Sequence, residues 1–286
     1  TLWTLPANQA VVLGEDLNYL LVATESEHGP YYVIVAEGLQ ASIRDRWQAE
    51  KWDVIGSVNP SDLEGLSLQH PFYQRQVPTL IGGHVTLEAG TGAVHTAPAH
   101  GHDDFIIGQK HDLPLENPVN GFGIFTPSTE YFAGQHVFKV EPKIIEKLQE
   151  NNNLIHQQPF IHSYPHCWRH KTPLIFRATP QWFISMDNKN FRTACLEAIE
   201  TVEWMPNWGR ERIQGMLESR PDWCISRRRF WGVPISLFIH KETVSLDPNT
   251  VDLLHQVDEK VEVHGIDRWF ASSTGELLGE EATDYS

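Results

Sequence analysis

Three histidines and two aspartates fall within ten residues, at His95, His100, His102, Asp103 and Asp104. Imidazole and carboxylate are suitable ligands for a metal such as zinc, which is one reading of His95, His100, His102 and Asp104. That reading lacks the helical pair of histidines four apart with a neighbouring glutamate. In a second reading one carboxylate anchors a cationic amine and a histidine shapes the pocket around the ligand's side chain. A plainer one makes Asp103 or Asp104 the cap of a helix, where exposed N–H groups and the dipole favour acids. Gly90 and Gly92, just upstream, allow positive φ or a close backbone approach. Spacing alone does not choose among these.

The elements that must position the cluster are a short strand over 93–96, a turn at Pro98, and a helix through 105–110 opened by one of the aspartates. Further upstream, short apolar runs at 10–13, 19–23, 31–36, 79–81 and 84–87 alternate with turn signals and read as strands. Leu39, Ile43 and Trp47 recur every four residues, marking a helix over 39–51. A second helix is expected over 141–150, with Pro142 in its first turn and the run Asn151, Asn152, Asn153 as its stop. Segments 190–202 and 208–219 read as helices, and 223–226 and 233–239 as extended. The last 45 residues carry few signals. A stretch dense in aromatics, proline and histidine from 159 to 183 has no persistent period, and the domain boundary is placed near residue 155. The fold expected is mixed α/β.

The chain has 286 residues with 41% hydrophobic and 21% charged, which excludes a disordered or low-complexity chain. Its longest apolar stretch, residues 31–36, is far short of the roughly 20 residues needed to span a bilayer, and no signal peptide is seen. A chain opening without Met reads as a piece of a longer protein. Three widely spaced cysteines, Cys167, Cys195 and Cys224, fit a reducing compartment, so a cytoplasmic location is expected. A net charge of -15 argues against a surface that grips nucleic acid everywhere. Residues 1–150 hold 8 Lys+Arg against 19 Asp+Glu, whereas 205–235 hold six arginines against three acids. That basic island comprises Arg210, Arg212, Arg220, Arg227, Arg228 and Arg229, and reads equally as a solvated face or a nucleic-acid contact.

The segment GTGAVHTAP at 90–98, followed by His100-Gly101 and Asp103-Asp104, resembles the signature of the editing domain inserted in isoleucyl-tRNA synthetases, a class I aminoacyl-tRNA synthetase family. TLWTLPAN at 1–8 is similar to the threonine-rich editing motif of that family. SYPHCWRHKTP at 163–173, RATPQWF at 177–183 and RPDWCISRRRFWGVP at 220–234 resemble segments that follow the insertion, in the same order. Valyl and leucyl relatives share the insertion; His95-Thr96-Ala97-Pro98 is the isoleucyl feature. Leu2, Ala99 and His102 depart from the usual residues without removing an essential group. Cys167 and His170 stand where some members have a zinc-binding cysteine pair, and with one cysteine replaced no structural zinc is expected in this segment.

The resemblance implies a β-barrel-like editing domain with peripheral helices over 1–155. It further implies connective and partial Rossmann-type catalytic regions over 156–286. Valine and isoleucine differ by one methylene, which a pocket can exploit for only about 1 to 3 kcal/mol, a general limit for which this synthetase family is itself the usual example. The family therefore needs a second, hydrolytic site. The expected activity is hydrolysis of valine mischarged onto tRNA-Ile at the acceptor end. Asp104 is expected to hold the substrate's ammonium, with Thr1 and Thr4 holding the ester and a water. His95, Trp3 and Gly92 are expected to bind substrate, and Asp103 to cap the helix. No serine or cysteine there forms a nucleophile–base pattern, which favours direct attack by water. The ATP-binding motifs HIGH and KMSKS are absent from the 286 residues, so no cofactor is expected in this segment, while the parent would use ATP and Mg²⁺ and possess zinc in some members. A monomer is expected. A valyl or leucyl editing piece, or a module without activity, are the alternatives.

Overall fold

The computed structural model describes residues 1–26, 29–88, 90–159, 161, 163–226, 235–243, 245–278 and 284–285. They divide into two compact units, Thr1–Thr179 and Pro180–Ser286. Residues 156–179, grouped with the second half from composition, therefore lie in the first unit. There Arg177 Nε donates to Val119 O at 3.1 Å, Asn117 Nδ2 to Ala178 O at 2.7 Å, and Ala178 N to Ala99 O at 2.7 Å.

The first unit contains strands β1 Ala10–Gly14, β2 Tyr19–Ser26 and β3 Gly29–Ala36, helix α1 Gln40–Trp47, strand β4 Trp52–Val58 and the short helix α2 Pro60–Leu63. It continues with β5 Ser67–Gln69, β6 Gln76–Gly82, β7 Ala93–Thr96, α3 His102–Lys110 and α4 Glu141–Glu150. One sheet has the order β5-β6-β1-β7, with β1 parallel to β6 and antiparallel to β7. The other is the antiparallel β3-β2-β4, with an irregularity at Leu21/Val22. The unit is thus mixed α/β. Its described strands form two hydrogen-bonded sheets and not one closed barrel.

Apolar runs explain most of these elements. Leu20, Val22 and Val35 of the three-stranded sheet pack with Leu39 and Ile43 beneath α1, and Tyr19 is fully buried among them. The helix stops at Trp47 rather than Lys51 because Gln48 turns left-handed at φ 51°, its N–H reaching back to Arg44 O and Asp45 O. Strand β4, which sequence reasoning missed, is mostly exposed, so it lacks an alternating pattern and is held by its ladder to β2. The segment 84–87 is not a strand: Val85 alone is buried, with Ala10, Val12, Leu80 and Ile107. A third cluster joins Trp3, Phe72, Val119, Phe125 and Phe132 to Ile144 and Leu148 on the inner face of α4.

The second unit has α5 Phe191–Glu200 and α6 Trp208–Glu218 close to their expected bounds, a two-stranded ladder of β8 Phe183–Ile184 with β9 Trp223–Cys224, and α7 Thr250–His264. Helix α7 escaped sequence reasoning because only Leu253 and Val257 on it are buried, too narrow a stripe to stand out. Arg210 pairs with Glu200. Arg227, Arg228 and Arg229, together with residues 233 and 234 of the expected extended segment, lie outside the described residues. Among the described residues no helix is long and apolar enough to cross a membrane.

Candidate active site

The threonine-bearing segment folds as a 3-10 turn, Leu2–Ala7. Thr4 closes it twice, its backbone N–H reaching Thr1 O at 3.3 Å and its hydroxyl donating to the same oxygen at 2.8 Å. Asn8 N bonds Leu5 O at 3.0 Å, after which the chain enters β1. Because β1 pairs antiparallel with β7, Val11 stands opposite His95 and Gln9 N reaches Thr96 O at 2.9 Å. That register brings the turn against His95.

Both ring nitrogens of His95 are occupied. Asn8 Nδ2 lies 2.6 Å from Nδ1 and Thr4 Oγ1 lies 2.9 Å from Nε2. Since Thr4 spends its proton on Thr1 O and the Asn8 amide is a donor that also serves Ala10 O at 2.9 Å, the network assigns the neutral tautomer with the proton on Nε2. Burial pushes the ring pKa down to about 4, and the neighbouring His70 and His100 act in the same direction. A neutral imidazole with its lone pair already engaged is a fixed wall, not a base.

Asp104 has a different setting. It is the third residue of α3, whose N-cap is Gly101 without any side-chain cap bond. Its Oδ2 instead accepts from Ala97 N at 2.9 Å, two residues beyond His95, so it ties the helix start to the end of β7. Gly101 leaves room for this, as a Cβ there would lie 3.0 Å from Asp104 Cγ. Burial raises the Asp104 pKa above the ordinary carboxylate range, partly offset by the Ala97 N–H and by His84. Its second oxygen has no hydrogen-bond partner among the described residues. The expectation that Asp103 caps α3 is corrected: it is exposed and makes no cap bond, contributing only its charge to the helix dipole.

The other expected residues separate. Thr1 is exposed at the mouth of the turn. Trp3 is 5% exposed and packs edge-on to His100 at 4.9 Å, so it supports the turn from the core side. Gly92 has φ +82°, and a Cβ there would come within 2.4 Å of Ala36 Cβ; only glycine fits. Its carbonyl accepts from Tyr19 Oη at 2.6 Å. The four residues of the metal reading are not gathered into a ligand set among the described residues: His95 has both ring nitrogens engaged, His102 is exposed, and only His100 keeps an unpaired ring nitrogen, Nε2. Cys167 Sγ and His170 Nδ1 stand 3.4 Å apart, and no group of three metal-ligating side chains occurs among the described residues.

Sequence reasoning missed Asn8 and the Ala97 N–H, the partners that fix His95 and Asp104. A polar residue between Ala7 and the apolar run of β1 was the available signal for Asn8.

A histidine with both ring nitrogens engaged and a partly buried carboxylate with one oxygen unpaired among the described residues thus stand at the end of β7 and the start of α3, tied through the Ala97 N–H. The chain belongs to the class I tRNA synthetases: residues 16–286 match the family described as tRNA synthetases class I (I, L, M and V). Within it, the chain is similar to the isoleucine–tRNA ligases of Vibrio parahaemolyticus (53% identical over 285 residues) and Nitrosococcus oceani (52% over 285 residues), in both cases over 100% of this chain and 30% of the relative. The chain thus spans about 30% of the length of the curated relatives it matches. A solved structure described as GlLeuRS-CP1 is 16% identical with a TM-score of 0.44, covering 56% of this chain and 82% of that one.

Proposed function

We propose that the chain is the editing piece of an isoleucine–tRNA ligase and hydrolyses the ester that joins wrongly attached valine to the acceptor end of tRNA-Ile. The observation that carries this reading is the free oxygen of Asp104, held two residues from a neutral His95 by the Ala97 N–H. An aminoacyl ester presents an ammonium beside its carbonyl. A carboxylate raised in pKa by desolvation is a group that gains most from such a counter-charge, because the pair replaces solvation it has lost. Holding the ammonium orients the ester and keeps the positive charge that makes its carbonyl electrophilic.

The remaining residues fall into place around that contact. The uncharged His95 ring, fixed by Thr4 and Asn8, limits the space for the amino-acid side chain and so distinguishes valine from isoleucine. The exposed Thr1, and the Thr4 hydroxyl beside it, hold the ester and the attacking water. His95 cannot accept the water's proton, since its Nδ1 lone pair serves Asn8. The water oxygen bonds to the carbonyl carbon and gives up a proton, the bond from that carbon to the ribose oxygen then breaks, and the ribose oxygen takes up a proton, releasing valine and tRNA with a free terminal hydroxyl.

Residues 1–155 are read as the editing domain and 156–286 as connective and partial catalytic regions, of which 156–179 pack within the same compact unit as the editing domain. The barrel-like form of the former is supported by links between its sheets: Tyr19 Oη accepts from Gly14 N and donates to Gly92 O, and Ala36 N reaches Thr91 O at 2.9 Å. The whole protein would attach isoleucine to tRNA with ATP and Mg²⁺ in the cytoplasm. The test is release of valine from valyl-tRNA-Ile by the chain and by Asp104→Ala. A loss of about 100-fold or more is expected, and equal rates would remove Asp104 from the reaction.

A further inference from the structure

The turn that carries Thr4 is gripped from outside the family motifs by the loop between β5 and β6. His70 in that loop is 2% exposed. Its Nδ1 accepts from Phe72 N at 3.3 Å and Tyr73 N at 3.1 Å, so the proton must sit on Nε2, which donates to Leu5 O at 3.0 Å. The ring stacks on Tyr73 at 4.8 Å and meets Phe72 edge-on at 4.6 Å. The loop is itself closed by His70 N on Arg75 O at 3.0 Å. Arg75 adds a second hold, Nη2 to Pro6 O at 2.9 Å, and its Nη1 shares Glu116 Oε2 with Gln9 Nε2, each at 2.8 Å.

The Leu5 carbonyl also receives Asn8 N, so one oxygen links His70 to Asn8 directly and to Thr4 through the adjoining chain, and these are the two partners of the His95 ring. An apolar side chain at that place would leave Phe72 N, Tyr73 N and Leu5 O each short of this partner, so the imidazole joins the loop on one nitrogen to the turn on the other. We infer that His70 is a positioning residue for the hydrolytic site, setting the height of the Leu2–Ala7 turn so that Thr4 and Asn8 hold the His95 wall. This rests on the editing reading above.

Two substitutions separate positioning from plain stability. Asn places an acceptor near the former Nδ1, preserving the loop's bonds to Phe72 and Tyr73 as an Asx turn does, but cannot reach Leu5. Gln places a donor near the former Nε2, preserving the bond to Leu5 while the loop loses its acceptor. His70→Asn and His70→Gln are compared with the unaltered chain and with Asp104→Ala for kcat and KM on valyl-tRNA-Ile, for hydrolysis of isoleucyl-tRNA-Ile, and for Tm. If His70 positions the turn, His70→Asn lowers kcat about 10- to 100-fold and narrows the valine preference, with Tm at or above that of His70→Gln, while His70→Gln stays within a few-fold of the unaltered chain. Activities that simply follow Tm across the two variants, or a His70→Asn chain as active and selective as the unaltered one, overturn the inference. Lack of hydrolysis by the unaltered chain, or no effect of Asp104→Ala, counts against the editing reading instead.

Discussion

The two sides of the site are built on opposite principles. On the β7 side both ring nitrogens of His95 are matched, by Asn8 and Thr4, and burial lowers the ring pKa to about 4. On the α3 side Asp104 is incompletely matched, with one backbone donor and a pKa raised by burial. A saturated group defines shape, because it has no bond to offer; an unsaturated charge defines affinity, because a ligand completes it. In the proposed function, specificity for size and recognition of charge thus fall to different residues and should be separable by mutation.

The widest separation is expected from Asp104→Asn. Asn can still accept from Ala97 N, so the fold keeps its tie while the charge is gone; valyl-tRNA hydrolysis should fall about 100-fold, equivalent to about 2.7 kcal/mol at 1.36 kcal/mol per tenfold, with Tm unchanged or higher by calorimetry. A drop in Tm matching the drop in activity would show that the carboxylate is structural after all. Next in size is His95→Ala, which leaves the Asn8 amide and the Thr4 hydroxyl without their buried partner. A loss of about 1 to 3 kcal/mol in urea unfolding is expected, together with measurable hydrolysis of isoleucyl-tRNA-Ile; retained rejection of isoleucine would move the size filter elsewhere.

The smallest effect, per unit of pH, sharpens the contrast by its sign. His70 and His95 both have pKa values lowered from 6.5 to about 4, so below pH 6.5 the unfolded chain takes up protons that the folded one refuses. Their contribution to stability should fall as pH drops through that window, by at most about 1.4 kcal/mol per pH unit for each. Asp104 acts the other way: its folded pKa lies above 3.8, so between these values the folded state binds the extra proton and gains stability as pH falls. Urea unfolding followed from pH 7 to 4.5 should show a decline that steepens below 6.5; a flat profile would mean that the two rings are hydrated.

How much of this was legible in the sequence follows from what each residue depends on. Strand β7, helix α4 and the apolar run of β1 are written locally, in burial patterns and stop signals, and they stand where the pattern put them. Strand β4 and helix α7 depend on neighbours distant in sequence, one on a ladder and the other on a two-residue stripe, and left no period to read. The same division runs through the site. Motif and chemistry single out His95, Thr4 and Asp104, but Asp104's bond outside its own helix, and the contacts of Asn8 and His70, arise from β1–β7 register and from the β5–β6 loop. Asp103 illustrates the limit: two adjacent acids at a helix start look equivalent on paper, and only the end of a neighbouring strand distinguishes them.

Thr4 and His95 meet across 91 positions of chain, and β1, which pairs with the strand that carries His95, also pairs with β6 in parallel. Contacts of that span close slowly, because the loop entropy is lost before any bond repays it. A partly folded chain therefore carries these side chains without the contacts that join them, and the proposed hydrolytic site exists only once β1 and β7 are in register.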